Sequence, residues 1–401
     1  MLKNVKILFA SILSVLLLLG CDKVTETPTK PEGPAPQALL FYFVGSSLNY
    51  YFTQNINAVK TALIETKGVN KDSRIAVFRR SSNKVDWEIV EIIYNVKNGM
   101  IREEVLKTYI EPDLSNMAGV LQDMTTLVEA EKYGVVFGGH GSGWIPKDQS
   151  LTKSAATCEG DYLPFGEAPA EGAYTTRYFG ETGCMFEISE ISDAMLSTGK
   201  SFEYVIFDDC FMANIETLYD MRHAAKHIIA SPCEIMGPGF PYNTVIPHLF
   251  TDGGTSYDLQ GVCRAFHEFY SDYNIPSGCV AMTITAELDK MANVTKEVFA
   301  GSLTDYDVNS LQVYEGLSQH VFYDMMQYIE AISSDEGLVA KFREQFNKTF
   351  PEECRLHTKA YYSTYNNMMN EITYYSGITI SEPSSKFADI NRQTSWYKAT
   401  H

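Results

Sequence analysis

The chain has 401 residues, 45% of them hydrophobic and 20% charged, with eight cysteines and a formal net charge of −18 at pH 7. That much apolar content excludes a chain disordered throughout, and the absence of a basic stripe argues against nucleic acid as a partner. The length is more than one core usually fills, which points to a large α/β domain with a smaller appended unit.

Lys3 and Lys6 precede an almost unbroken apolar stretch over 7–19. A positive start followed by so short a run reads as a secretory signal over 1–20, too short for a comfortable membrane span. Cys21 follows Leu18-Leu19-Gly20, an order that resembles a bacterial lipobox, in which Cys21 is lipidated and begins the mature chain. Residues 21–38 are rich in Pro, Thr and Glu without periodicity, the composition of an extended tether. No later apolar run is long enough to cross a bilayer. The expectation is a body secreted or held by its lipid on a bacterial envelope membrane, its net charge −20 once Lys3 and Lys6 are removed.

From residue 39 short apolar runs alternate with amphipathic stretches. A strand over 39–44 ends at Gly45-Ser46, a helix covers 55–66, and strands follow over 74–78 and 88–94. Met117, Leu121, Met124, Leu127 and Val128 have helical spacing within 117–132, leading into a strand over 133–138. Residues 145–186 break the pattern, being rich in Gly, Pro, Ala and Thr; so long a loop in a compact domain is usually functional. A strand over 204–207 is followed by a helix over 212–225, then strands over 227–231 and 280–285. Helical periods recur over 311–332 and 335–349, and 378–380 is strand-like. Continuous apolar strands joined by helices predict an α/β fold with a mostly parallel sheet covered on both faces. The mainly helical remainder suggests a catalytic domain over 39–290 and a C-terminal subdomain over 291–401.

Two of these strands end in complementary chemistry. Val135-Val136-Phe137 leads to His140-Gly141-Ser142, and Tyr204-Val205-Ile206-Phe207 leads through Asp208-Asp209 to Cys210. Ligand sites of parallel sheets lie beyond the carboxyl ends of the strands, and a thiol beside an imidazole is the minimum for nucleophilic acyl transfer. The competing readings are a buried structural cysteine and a turn histidine satisfied by backbone groups. His223, His227, His248, His267, His320, His357 and His401 have no comparable setting, and His227 reads as core.

Apart from Cys21 and Cys210, the cysteines are Cys158, Cys184, Cys233, Cys263, Cys279 and Cys354. In an oxidising envelope six can form three disulfides with fifteen connectivities, and Cys158–Cys184, flanking one loop, is the first pair expected. No CxxC or CxxH spacing suggests structural zinc.

Gly138-Gly139-His140-Gly141-Ser142-Gly143-Trp144, taken with Phe207-Asp208-Asp209-Cys210-Phe211-Met212-Ala213-Asn214-Ile215-Glu216, resembles the clostripain family of bacterial cysteine peptidases, within the caspase-like clan. The likeness covers 133–144 and 203–250. It implies a caspase-like α/β/α sandwich and an endopeptidase cleaving after Arg or Lys. Cys210 would be the nucleophile, activated by His140 and by a helix starting just after it, with His140 as general base and acid. The N–H groups of Gly141 and Cys210 would form the oxyanion hole, and no third triad member is demanded. Asp208 shares a strand face with Cys210 and would pair with the basic P1 side chain. Asp209, facing the other way, has helix N-capping as an alternative role.

Residues 231–242 resemble the family's substrate-groove loop, with Phe240 where relatives carry Trp and with an unexpected Cys233. Lys147, Lys153 and Arg177 in the long loop are candidate sites of self-cleavage, against the alternative of a loop closed by Cys158–Cys184. No cofactor is expected. Calcium is a family possibility without a placeable site, since Glu352-Glu353 is too generic. Partners would be peptides or proteins with basic residues, and the membrane through the lipid alone, for a monomer. Two alternatives stay open: a non-catalytic envelope lipoprotein that uses a peptidase-like fold for binding, and a cysteine peptidase with non-basic P1 preference in which Asp208 supports its loop.

Overall fold

The apolar run of β1 (Ala38–Phe43) is buried along its whole length inside a nine-stranded sheet. This computed structural model describes residues 33–69, 73–83, 85–110, 112–146, 185–251 and 257–401. After β1 come α1 (Asn49–Glu65), β2 (Arg74–Arg80), β3 (Trp87–Asn95), β4 (Met100–Tyr109), α2 (Met117–Leu127), β5 (Tyr133–Gly138), α3 (Ile188–Ser197) and β6 (Phe202–Asp208). Next in the chain are α4 (Ile215–Asp220), β7 (His227–Ala230), α5 (Tyr242–Val245), α6 (Leu259–Asp272), β8 (Cys279–Ile284) and α7 (Leu288–Phe299). The C-terminal part contributes β9 (Tyr323–Asp324), α8 (Met325–Ile332), α9 (Glu336–Thr349), β10 (Leu356–His357), β11 (Ala360–Ser363) and β12 (Met368–Glu371). It closes with β13 (Thr379–Ile380), α10 (Ala388–Asn391) and α11 (Ser395–Thr400).

The sheet order is β10-β8-β7-β6-β5-β1-β2-β3-β4. Strands β7, β6, β5, β1 and β2 are mutually parallel, while β8 and β10 at one end and β3 and β4 at the other run antiparallel to their neighbours. Successive side chains alternate between faces. Tyr42, Phe137 and Phe207 pack with Leu121 of α2, Ile191 of α3, Leu218 of α4 and Met291 of α7. Phe41, Val136 and Ile206 meet Phe52 of α1, Val245 of α5 and Phe266 of α6 on the other side. Helices on both faces of a mostly parallel sheet make the caspase-like α/β/α sandwich, with a helical C-terminal part.

Several elements differ from the predicted ones for local reasons. Helix α2 stops at Leu127, short of 132, because the Tyr133 hydroxyl reaches the carbonyls of Thr125 and Val128 and accepts from Ala130 N–H. The predicted helix over 311–332 is helical only from Met325, where the Asp324 carboxylate caps α8 by accepting from Gln327 N–H. Upstream, buried Glu315 accepts from the N–H groups of Val321 and Phe322 and holds an irregular turn instead. Strand β4 has no predicted counterpart: it is an edge strand with an exposed, charged sequence and no apolar alternation. Helices α3, α6 and α7 are likewise absent from the predicted elements. No helix among the described residues is long and apolar enough to cross a membrane.

Candidate active site

Strands β5 and β6 are parallel neighbours with Gly138 opposite Asp208. His140 and Cys210 each lie two residues past that pair, so the two chain ends emerge side by side beyond the carboxyl edge of the sheet. Their backbones run in close contact. A Cβ built on Gly141 would lie 2.4 Å from the Cys210 carbonyl oxygen and 3.1 Å from its nitrogen, so glycine is required for the approach. Both side chains are buried. His140 Nε2 and Ser47 Oγ are 2.7 Å apart, a hydrogen bond from the 3-10 turn Ser46–Leu48 that follows β1, the other neighbour of β5.

The segment after Cys210 is a turn, where a helix is predicted. Phe211 takes a left-handed φ of 61°, and α4 begins only at Ile215, capped by the Asn214 side chain accepting from Thr217 N–H. Asp209 is therefore not the helix cap, and Cys210 does not sit at a helix N-terminus. The thiol sulfur instead accepts from Ile235 N–H at 3.4 Å. Ile235 belongs to the loop after β7, which is tied to this turn by Phe211 N–H to Cys233 O and Ala213 N–H to Ser231 O, at 3.1 and 2.9 Å. Asp208 is fully buried, and Tyr242, the first residue of α5, donates to its Oδ2 at 2.7 Å.

The C-terminal part buttresses this turn. Phe322 stacks on Phe211 with centroids 4.9 Å apart, and Trp144 and Ile145 from the histidine loop join them with Leu317 and Val321. Trp144 Nε1 donates to Ser381 Oγ at 2.8 Å. Thr379 N–H of β13 donates to Ala213 O. The buried carboxylate of Glu216, in the first turn of α4, accepts from Ser381 N–H and Asn391 Nδ2. Burial raises its pKa to about 7 against the lowering effect of those hydrogen bonds.

Ser47, Ile235, Tyr242 and Glu216 are the residues that sequence reasoning passes over. Glu216 closes the motif that holds Cys210, and Tyr242 ends the segment 231–242 that resembles the groove loop, so both stood in view. Ser47 becomes visible only when β1 is known to adjoin β5. Lys147, Lys153, Arg177, Cys21, Cys158 and Cys184 lie outside the described residues. Cys210, Cys233, Cys263, Cys279 and Cys354 are buried thiols in this structure, without the disulfides expected for the last four. Among the described residues no three His, Cys, Asp or Glu side chains are grouped to hold a metal ion.

A sequence model of the clostripain family matches residues 178–398, a span that includes Cys210 and begins beyond His140. Clostripain of Hathewaya histolytica is 24% identical over 319 residues, which cover 71% of this chain and 54% of that protein. The chain thus spans about half the length of the curated relative it matches. Iotapain, a secreted C11 cysteine protease of Bacteroides thetaiotaomicron, is 31% identical in structural alignment with a TM-score of 0.78, covering 92% of this chain and 100% of that one. A clostripain from Bacteroides thetaiotaomicron ATCC 29148, solved with the peptide inhibitor BTN-VLTK-AOMK, is 35% identical over 56% of this chain and 99% of its own, with a TM-score of 0.52. With its sheet, its two strand-end motifs and a family match over more than half its length, the chain belongs to the clostripain family of cysteine peptidases.

Proposed function

We propose that the chain is a cysteine endopeptidase cleaving after Arg or Lys through Cys210 and His140. The observation that carries the reading is the register of β5 on β6, which sets the two motifs side by side with Gly141 against the Cys210 backbone. The Cys210 thiolate attacks the scissile carbonyl carbon, and the oxyanion is received by the N–H groups of Gly141 and Cys210. His140 protonates the departing amine. It then takes a proton from the water that hydrolyses the thioester, releasing the acid and the thiol. Asp208, buried at the end of β6 two residues before Cys210, supplies the charge for a basic P1 side chain. The inhibitor peptide of the related clostripain, VLTK, ends in lysine.

The finer parts of the reading rest on sequence. Lipidation at Cys21 after signal removal would hold a monomeric enzyme on an envelope membrane, as suits the relative described as secreted. Self-cleavage at Lys147, Lys153 or Arg177 would mature it. This reaction uses no cofactor, and unchanged turnover in EDTA would exclude a need for calcium.

The test is hydrolysis of Arg-, Lys- and Asp-P1 fluorogenic peptides by the full chain and by Cys210→Ala, before and after light trypsin treatment. Cleavage after Arg or Lys that disappears in the variant is expected. Loss of the Arg preference in Asp208→Asn would tie the pocket to that carboxylate. No turnover of any peptide would leave the binding lipoprotein.

A further inference from the structure

Four buried cysteines have no part in that chemistry, and they fall into two pairs. Cys263 lies on α6 one turn ahead of His267, so the two share a helix face. His267 Nε2 is 3.0 Å from the His357 carbonyl oxygen, which lays that face against the segment running from the 3-10 turn Glu352–Cys354 into β10. There Cys263 and Cys354 lie in the same buried apolar cluster, and each thiol is the group that most affects the other. Cys279 opens β8, and Cys233 lies in the loop that follows β7, the antiparallel neighbour of β8. Their side chains share one buried cluster with Tyr314 and Tyr361.

Both contacts are thiol against thiol inside apolar and tyrosine surroundings, which suit a bridge and offer nothing to a metal. Cys210 packs in a separate cluster with Trp144 and Phe211, so pairing two and two leaves the nucleophile out.

We propose that Cys263 with Cys354, and Cys233 with Cys279, are disulfide-forming sites, closed by exchange with a protein or low-molecular-weight disulfide while the chain folds in an oxidising compartment. In each closure two protein thiols and one R–S–S–R give one protein disulfide and two RSH. The protein sulfurs are oxidised, the exchanged disulfide is reduced, and the thiol protons leave on RSH. All four side chains are buried in the folded chain, so exchange precedes the last packing. The Cys263–Cys354 bridge ties α6 to the β10 segment. The Cys233–Cys279 bridge staples to β8 the loop whose Ile235 N–H donates to Cys210 Sγ, and so holds that donor in place.

The experiment refolds the full chain in glutathione redox buffer, blocks remaining thiols with iodoacetamide, and maps non-reduced peptides by mass spectrometry. Two cross-linked species are expected, 233 with 279 and 263 with 354, each about 2 Da lighter than its reduced peptides combined. Cys279→Ser should keep only the 263–354 species, and Cys354→Ser only the 233–279 one. Alkylation of all four cysteines overturns the proposal, as does a crossed pair such as 233 with 354. The readout is a covalent map, so it stands whether or not the chain proves to be a peptidase.

Discussion

Gly141 and Ser47 separate what the residues need from what the sequence displays. The strand-end positions of His140 and Cys210 were legible because each follows a continuous apolar run and the chemistry of the pair is restrictive. Gly141 follows from the same motif, and the structure supplies its reason: an alanine methyl would lie 2.4 Å from the Cys210 carbonyl oxygen. Gly141→Ala is therefore expected to lower kcat/KM about 100-fold or more, since it would misplace the proposed oxyanion donors and such losses cost on that scale. The thermal midpoint should move by only a few degrees, and peptide hydrolysis beside a thermal melt reads both quantities. Ser47 was not legible, because its partnership with His140 depends on strand order rather than on any local pattern. If its hydroxyl orients the imidazole, Ser47→Ala should lower kcat roughly 10-fold with KM little changed. Ser47→Thr should restore most of the loss and the wild-type pH–rate profile. An unchanged profile and kcat in Ser47→Ala would make the contact merely structural.

The elements that were legible are the buried ones. Strands β1, β5 and β6 each hold a continuous apolar run, in β6 over 204–207, whereas β4 presents Arg102, Glu103, Glu104 and Lys107 at an open edge and resembles a loop. The helix expected from residue 212 is cut back because the chain must first turn through Phe211, whose left-handed backbone is held by Phe322 and by the Cys233 carbonyl. Single-residue periodicity does not register a turn imposed from two other segments. Beyond the turn, α4 is a short helix whose buried Glu216 fastens it to 381–391. The folded pKa of Glu216, about 7, lies above its ordinary value of 4.5. Its contribution is thus fully present below 4.5 and is lost as pH rises through 7. The shift corresponds to roughly 3 kcal/mol less stability at pH 8 than at pH 4 from this group alone. Glu216→Gln should flatten that part of the curve, a difference that urea unfolding of both proteins at pH 5 and pH 8 would measure. A wild-type slope retained in the variant would assign it to other groups.

Across the whole chain, the sequence reading divides 39–290 from 291–401, and the two stretches are joined at several levels. Strand β10 pairs with β8 in the main sheet, and β13 docks on the turn that follows Cys210. Phe342 and Phe346 of α9 and Trp396 of α11 belong to the same buried cluster as Phe207, Leu218 and Met291 of the sandwich. Periodicity could show that these late helices exist, but only long-range pairing shows where their apolar faces go. Removing everything after residue 305 would expose the partners of those aromatics at about 2 kcal/mol for each large side chain. Several such losses together reach the roughly 5–15 kcal/mol by which a folded domain is ordinarily stable. The chain ending at 305 is therefore expected to be insoluble, or to melt without a cooperative transition, and to lack peptide hydrolysis even with His140 and Cys210 in place. Circular dichroism melts and Arg-P1 hydrolysis of the shortened and full chains decide it. A soluble, cooperative and active shortened chain would show instead that the first 305 residues hold the site unaided and that Phe322, Ser381 and Asn391 are dispensable to it.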